Sequence, residues 1–210
     1  MDRHRYVAVE GPIGAGKTSL ARRLAARMGA ELLLEEPGEN PFLGRFYRDM
    51  ARYALPTQLF FLFQRARQLE PLAQRDLFSR ATVADFLIDK DSLFAALTLS
   101  GDELALYQRV YASLRPQAPA PDLVIYLQAP VETLIERVRR RAAPFERGID
   151  EGYLARVAES YARFFYHYGA APVLIINAQS LNFVDRDADF ELLVERVRAM
   201  RTRREFFSVA

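Results

Sequence analysis

The run from Tyr6 to Leu24, YVAVEGPIGAGKTSLARRL, limits this chain more than any other stretch. An apolar, partly β-branched segment meets Gly11-Pro-Ile-Gly-Ala-Gly16-Lys17-Thr18, and Leu20, Leu24 and Met28 then repeat at helical spacing. A strand that turns through glycines straight into a helix stacks backbone N–H groups around a concave, anion-attracting turn, with the positive helix end beneath it.

Four more apolar segments read as strands buried on both faces: residues 31–36, 81–88, 122–129 and 172–177. Helical patterns lie between them, among them Tyr107, Val110, Tyr111 and Leu114, then Val131, Leu134, Ile135 and Val138, and finally Phe190, Leu193, Val194 and Val197. Asn40-Pro41 reads as an N-cap followed by proline, and Ser100-Gly-Asp-Glu103 as a capping box. Alternating strand and helix predict an α/β fold: a five-stranded parallel sheet with helices on both faces and ligands at the carboxyl ends of the strands. The 210 residues predict one domain, with a tail after the last helix that docks, binds a partner or frays.

Composition narrows the chemistry. Cysteine is absent, which excludes disulfides, thiolate nucleophiles and cysteine-bound zinc, and two histidines make a histidine-rich metal site a poor expectation. No stretch approaches a membrane-spanning length and no leader pattern precedes the first strand, so a cytosolic protein is expected. The net charge of +2 is spread among acids along helices, which gives no footprint for a nucleic-acid polymer. Of 29 basic residues only Lys17 and Lys90 are lysines, so a chain written in arginine keeps lysine at the end of its glycine turn.

In this context G-x-x-x-x-G-K-[ST] predicts a turn that holds a nucleoside triphosphate: Gly11, Gly14, Ala15, Gly16, Lys17, Thr18 and Ser19 surround the phosphates, with Lys17 on the β- and γ-groups and Thr18 on Mg²⁺. No N-K-x-D segment for a GTPase occurs, and the size suits a small kinase. Such an enzyme needs a group for the acceptor's proton and cations over the transferring phosphate. Glu35 and Glu36 end the second strand, and either is placed to take that proton. The third strand segment carries Asp85 at the equivalent height, and a carboxylate inside such an apolar run is costly unless paired or near a metal ion. Arg137 and Arg141, four apart on one helical face before a break at 142–145, suit a lid closing on phosphates.

Together these residues resemble the deoxynucleoside kinase family, in particular its bacterial deoxyadenosine/deoxyguanosine kinase branch. The resemblance spans nearly the whole chain and implies a P-loop kinase fold. It implies a catalytic glutamate five residues before an Asn-Pro pair, which fits Glu35, or beside a proline, which fits Glu36. Tyr47 stands where the family contacts the sugar, eleven residues before Gln58 at the base edge, with Arg65 seven residues further. Asp91 resembles the acid that works with that arginine, Phe94 the ring stacked on the base, and Glu146 the acid on the sugar hydroxyl. Two departures stand out: Phe86 replaces the arginine of the family's [DE]-R-S motif, and Ala143 replaces a third lid arginine. Residues 177–187 occupy the place of the loop beside the ATP adenine.

The resemblance implies Mg-ATP-dependent phosphorylation of a deoxynucleoside 5′-hydroxyl, purines favoured, by a homodimer paired through segments 41–63 and 153–168. A nucleoside monophosphate kinase and a non-catalytic nucleotide-binding regulator are the alternatives.

Overall fold

The computed structural model describes residues 4–74, 80–114 and 119–208. Part of the proline-rich loop at 115–122 therefore lies outside the described residues. In chain order the elements are β1 (Tyr6–Glu10), α1 (Lys17–Met28), β2 (Glu31–Leu33), α2 (Leu43–Phe46), α3 (Met50–Ala73), β3 (Thr82–Ala84), α4 (Asp91–Thr98) and α5 (Gly101–Leu114). Then follow β4 (Leu123–Gln128), α6 (Val131–Arg141), α7 (Glu151–His167), β5 (Val173–Asn177), α8 (Asp187–Ala199) and β6 (Arg204–Phe207).

The strands form one parallel sheet in the order β2-β3-β1-β4-β5-β6. The expected sheet of five strands is corrected to six, because the C-terminal tail pairs with β5 from Val173↔Arg204 to Ile176↔Phe207. Its sequence, Arg-Glu-Phe-Phe, lacks the continuous apolar run of the inner strands since it lies at an edge and is only half-buried. Arg204 pins it by donating to the carbonyls of Tyr166 (2.8 Å) and Tyr168 (2.6 Å).

Side chains alternate between the two faces with the strand period of two. Val7 and Val9 of β1, Ile125 and Leu127 of β4, and Leu174 and Ile176 of β5 pack against α1, α6 and α8. Ala8, Val124, Tyr126, Val173 and Ile175 face α2, α3, α4, α5 and α7 on the other side. Side-chain caps start the two long helices of that second layer: Asp49 accepts from the Arg52 N–H (3.3 Å) and Asp150 from the Tyr153 N–H (2.8 Å).

Two elements are shorter than the sequence pattern predicts, and both shortenings serve the site. β2 ends at Leu33 and β3 at Ala84, so Glu35 and Asp85 lie past the sheet, joined by a bond from the Glu35 N–H to Asp85 Oδ1 (2.7 Å). Asn40 is also not a helix N-cap: its Oδ1 accepts from the Phe42 N–H (3.0 Å) and its Nδ2 donates to the Thr57 carbonyl (3.2 Å), tying the loop to α3 before α2 begins at Leu43.

Candidate active site

Strand order places β1 between β3 and β4, so the turn from β1 into α1 opens where successive crossovers diverge. The turn cannot be built with ordinary side chains. A Cβ on Gly11 would lie 2.5 Å from the Leu127 carbonyl oxygen, and one on Gly14 would lie 2.7 Å from that of Leu134, with Gly14 at φ +88°. Lys17 Nζ donates back to the carbonyls of Gly11 (2.8 Å) and Pro12 (3.3 Å), which holds the ammonium over the turn. Burial, followed by the nearby Lys90 ammonium, lowers the Lys17 pKa from its usual value.

Two cavities meet at this turn. The first is lined by Gly14, Ala15, Gly16 and Ser19, by Arg137, Arg140 and Arg141 of α6, and by Gln179 and residues 181–185. The segment after β5 thus borders the glycine turn, and Arg137 Nη2 donates to the Ala178 carbonyl (2.7 Å). Burial and the neighbouring Arg140 lower the Arg137 pKa. Arg140 joins this wall although the pattern of residues four apart singled out only Arg137 and Arg141.

The second cavity lies on the other side of Gly14 and Lys17 and brings together Thr18, Glu35, Tyr47, Gln58, Arg65, Asp85, Phe94, Arg141 and Glu146. Arg141 and Gly14 border both cavities. Glu35 and Glu36 part company here. Glu35 lines the cavity, whereas Glu36 is exposed outside it, and a hydrogen bond to Glu39 raises its carboxyl pKa.

Glu35 sits in a dense charge cluster. Arg65 donates to Glu35 Oε1 through Nε (2.8 Å) and Nη2, and through Nη1 to Asp91. Lys90 Nζ stands 3.3 Å from Glu35 Oε1. Burial acts to raise the Glu35 pKa, but Arg65, then Lys90 and Lys17, outweigh it and hold the carboxyl well below the usual carboxylate range. Asp91 stands behind Arg65 and does not line the cavity, and there burial pushes its carboxyl up to about 7 against Arg65 and Lys90. Asp85 is raised by burial as well, while its Oδ2 accepts from the Thr18 hydroxyl (2.5 Å).

The outer part of the cavity is aromatic and amphipathic. Tyr47 packs edge-on against Phe46 and Tyr153 (ring centroids 5.2 and 6.2 Å), and Phe94 against Tyr161 (5.9 Å). Burial, then Tyr153 and Glu146, raise the Tyr47 pKa well above its ordinary value. Thr98 Oγ1 donates to the Phe94 carbonyl (2.7 Å), so it can only accept from Gln58 Nε2 (3.4 Å), which fixes which way the Gln58 amide points. Arg141 grips Glu146 through Nε (3.0 Å) and Nη2 across the break that follows α6. That break is made by Ala142, a non-glycine residue at φ +50°.

Sequence reasoning missed Lys90, Glu10 and Tyr161. Glu10, fully buried at the end of β1, accepts from the Gly11 N–H (2.9 Å), the Leu87 N–H (2.8 Å) and the Tyr161 hydroxyl (3.0 Å), with Lys90 Nζ 3.5 Å away. The signal for Lys90 was present, since a second lysine in an otherwise arginine chain is as conspicuous as Lys17. Phe86 lies in an apolar cluster with Tyr6, Leu69, Leu72 and Ile88, away from the cavity.

A parallel sheet with a lysine-bearing glycine turn, a basic helix over it and two cavities meeting at it defines a P-loop phosphotransferase. Comparison with known proteins narrows the class. A sequence model of the family described as deoxynucleoside kinase matches residues 7–201, and the chain belongs to that family. A deoxyguanosine kinase of Bacillus subtilis (strain 168) is 34% identical over 200 residues, which take in 93% of this chain and 97% of that one. A deoxyadenosine kinase of Lactobacillus acidophilus is 29% identical over 206 residues, 91% of this chain and 94% of its own. A solved structure of deoxyadenosine kinase from M. mycoides with products dCMP and a flexible dCDP bound superposes with a TM-score of 0.80 at 22% identity, covering 93% of this chain and all of that one. Among the described residues no helix is long and apolar enough to cross a membrane.

Proposed function

We propose that the chain transfers the γ-phosphoryl group of ATP to the 5′-hydroxyl of a deoxynucleoside, with purines preferred. The observation that carries this reading is Glu35, held ionised by Arg65 and Lys90 in the wall of one cavity while the glycine turn and Lys17 divide that cavity from the next. ATP lies across the turn, its base toward residues 181–185, and the nucleoside fills the cavity of Glu35. Glu35 takes the proton of the acceptor hydroxyl. The acceptor oxygen bonds to the γ-phosphorus as the bond from that phosphorus to the bridging oxygen breaks, and its electron pair leaves with ADP. Arg137 and Arg141 face the charge that spreads over the transferring group.

Tyr47 and Glu146 bind the sugar, Phe94 stacks on the base, and Gln58 and Arg65 read its edge, with Asp91 acting through Arg65. The Thr18 hydroxyl and the Asp85 carboxylate beside the turn fit magnesium, which takes hard oxygen ligands and shares them with phosphates. When bound there, the ion supplies neutralising charge to the phosphate oxygens. Purine preference is supported by the names of the two relatives, one a deoxyguanosine and one a deoxyadenosine kinase. A cytosolic homodimer belongs to the same reading, and sedimentation of the purified chain tests its pairing.

The experiment is to follow ADP release from Mg-ATP with the four deoxynucleosides, their ribose counterparts and the corresponding monophosphates. Turnover with deoxynucleosides, fastest with a purine, is expected. Turnover with monophosphates alone would move the chain to a different kinase class, and ATP binding without turnover would make it a nucleotide-binding regulator.

A further inference from the structure

Lys90 is nearly as buried as any charge in the molecule, at 2% exposure, yet it lines the cavity of Glu35. An ammonium in such a place is costly unless something nearby uses its charge. Its neighbour Glu10 does not need it. Both Glu10 oxygens are already engaged by the Gly11 and Leu87 N–H groups and the Tyr161 hydroxyl, all within 3.0 Å.

The cations of the cavity differ in how far they are committed. Among the described residues Lys17, Arg65, Lys90 and Arg141 line it. Lys17 donates to the Gly11 carbonyl at 2.8 Å, Arg65 clamps Glu35 and Asp91, and Arg141 clamps Glu146. Lys90 holds only longer contacts, 3.3 Å to Glu35 and 3.5 Å to Glu10. It is therefore the cation best placed to donate to an incoming oxygen without first breaking a short bond. Lys90 and Lys17 both line this cavity, so an anion entering it meets two ammonium groups.

We propose that Lys90 is the acceptor-side catalytic cation, donating a hydrogen bond to the acceptor oxygen as the phosphoryl group passes to it. This rests on the kinase reading above. Lys90 keeps its three protons throughout: the acceptor's proton goes to Glu35, the new O–P bond forms at the γ-phosphorus, and the broken bond's electron pair leaves with ADP. Glu10, fixed by β1, the turn before α4 and α7, is the positioning residue that aims the lysine. Phe86, pointing into the apolar cluster, leaves this place to Lys90.

The test compares the wild-type chain with Lys90→Met and Lys90→Arg in steady-state kinetics with Mg-ATP and the preferred deoxynucleoside, alongside calorimetric binding of each ligand. The methionine variant is expected to lose at least about 100-fold in kcat, as for loss of one preorganised donor, with both dissociation constants within about threefold of wild type. Arginine is expected to recover at least about tenfold of that loss. Wild-type turnover with Lys90→Met within about threefold of it overturns the role of Lys90 alone. Absence of wild-type turnover overturns the kinase reading and the role of Lys90 with it. If the methionine variant gives no cooperative melt, Lys90→Gln and Lys90→Arg become the pair, with a gap of at least about tenfold expected and near-equal kcat overturning the proposal.

Discussion

The two cavities meet at one turn but are built on opposite principles. The donor side is made chiefly from backbone: contiguous residues 11–19, glycines where a Cβ would strike a carbonyl, and a lysine bonded to its own loop. The acceptor side is made from side chains, with Glu10, Glu35, Arg65 and the adjacent Lys90 and Asp91 drawn from four separate places in the sequence and paired in a nearly dry cluster. Backbone sites tolerate the loss of a side chain with little structural cost. Buried ion clusters do not, because each removal strands a partner.

The sharpest way to break this contrast is to remove one cation from each side. Arg65→Met leaves Glu35 and Asp91 facing each other with less compensation, and a loss of about 3–5 kcal/mol in urea unfolding is expected. Lys17→Met, by contrast, should cost only about 1 kcal/mol of stability, since its hydrogen bonds go to two carbonyls of its own loop and Glu35 keeps Arg65 and Lys90, while it abolishes tight ATP binding. Equal losses in the two variants would dissolve the distinction.

Gly14→Ala probes the backbone side. Its Cβ would press on the Leu134 carbonyl at 2.7 Å from a φ of +88°, so about 1–3 kcal/mol of stability and most of the ATP affinity should go, with a smaller loss of nucleoside affinity in calorimetry because Gly14 borders both cavities. On the acceptor side Thr98→Val removes the hydroxyl that orients the Gln58 amide. A hydrogen bond of about 1 kcal/mol corresponds to a several-fold change in the ratio of kcat/KM for deoxyadenosine over deoxyguanosine, with the KM for ATP unmoved. The smallest effect is expected at the hinge between the two sides. Ala142→Gly relieves a left-handed alanine at φ +50° and should raise stability by about 0.5–1 kcal/mol in thermal melts.

How much of this was legible in sequence follows from the same contrast. The glycine turn was readable in full because its conformation is set by adjacent residues in fixed order. β6 was not, since an edge strand half-open to solvent has no need of an apolar run. On the acceptor side the spacing from Tyr47 to Gln58 to Arg65 was visible only through family resemblance, because those residues meet Glu35 and Phe94 through the packing of helices. The choice between Glu35 and Glu36 lay in which way a chain leaving the sheet turns, and the bond from the Glu35 N–H to Asp85 accompanies that turn. Lys90 left a compositional trace, while Glu10 left none: a glutamate ending an apolar strand reads like any strand end until its three donors are seen.

The most direct test is to separate binding from turnover in Glu35→Gln. If the acceptor-side cluster exists to hold an ionised Glu35 against the acceptor hydroxyl, this variant should bind ATP and the deoxynucleoside within a few-fold of wild type while kcat falls by at least about 1,000-fold. A folded Glu35→Gln chain that turns over within about tenfold of wild type would contradict it.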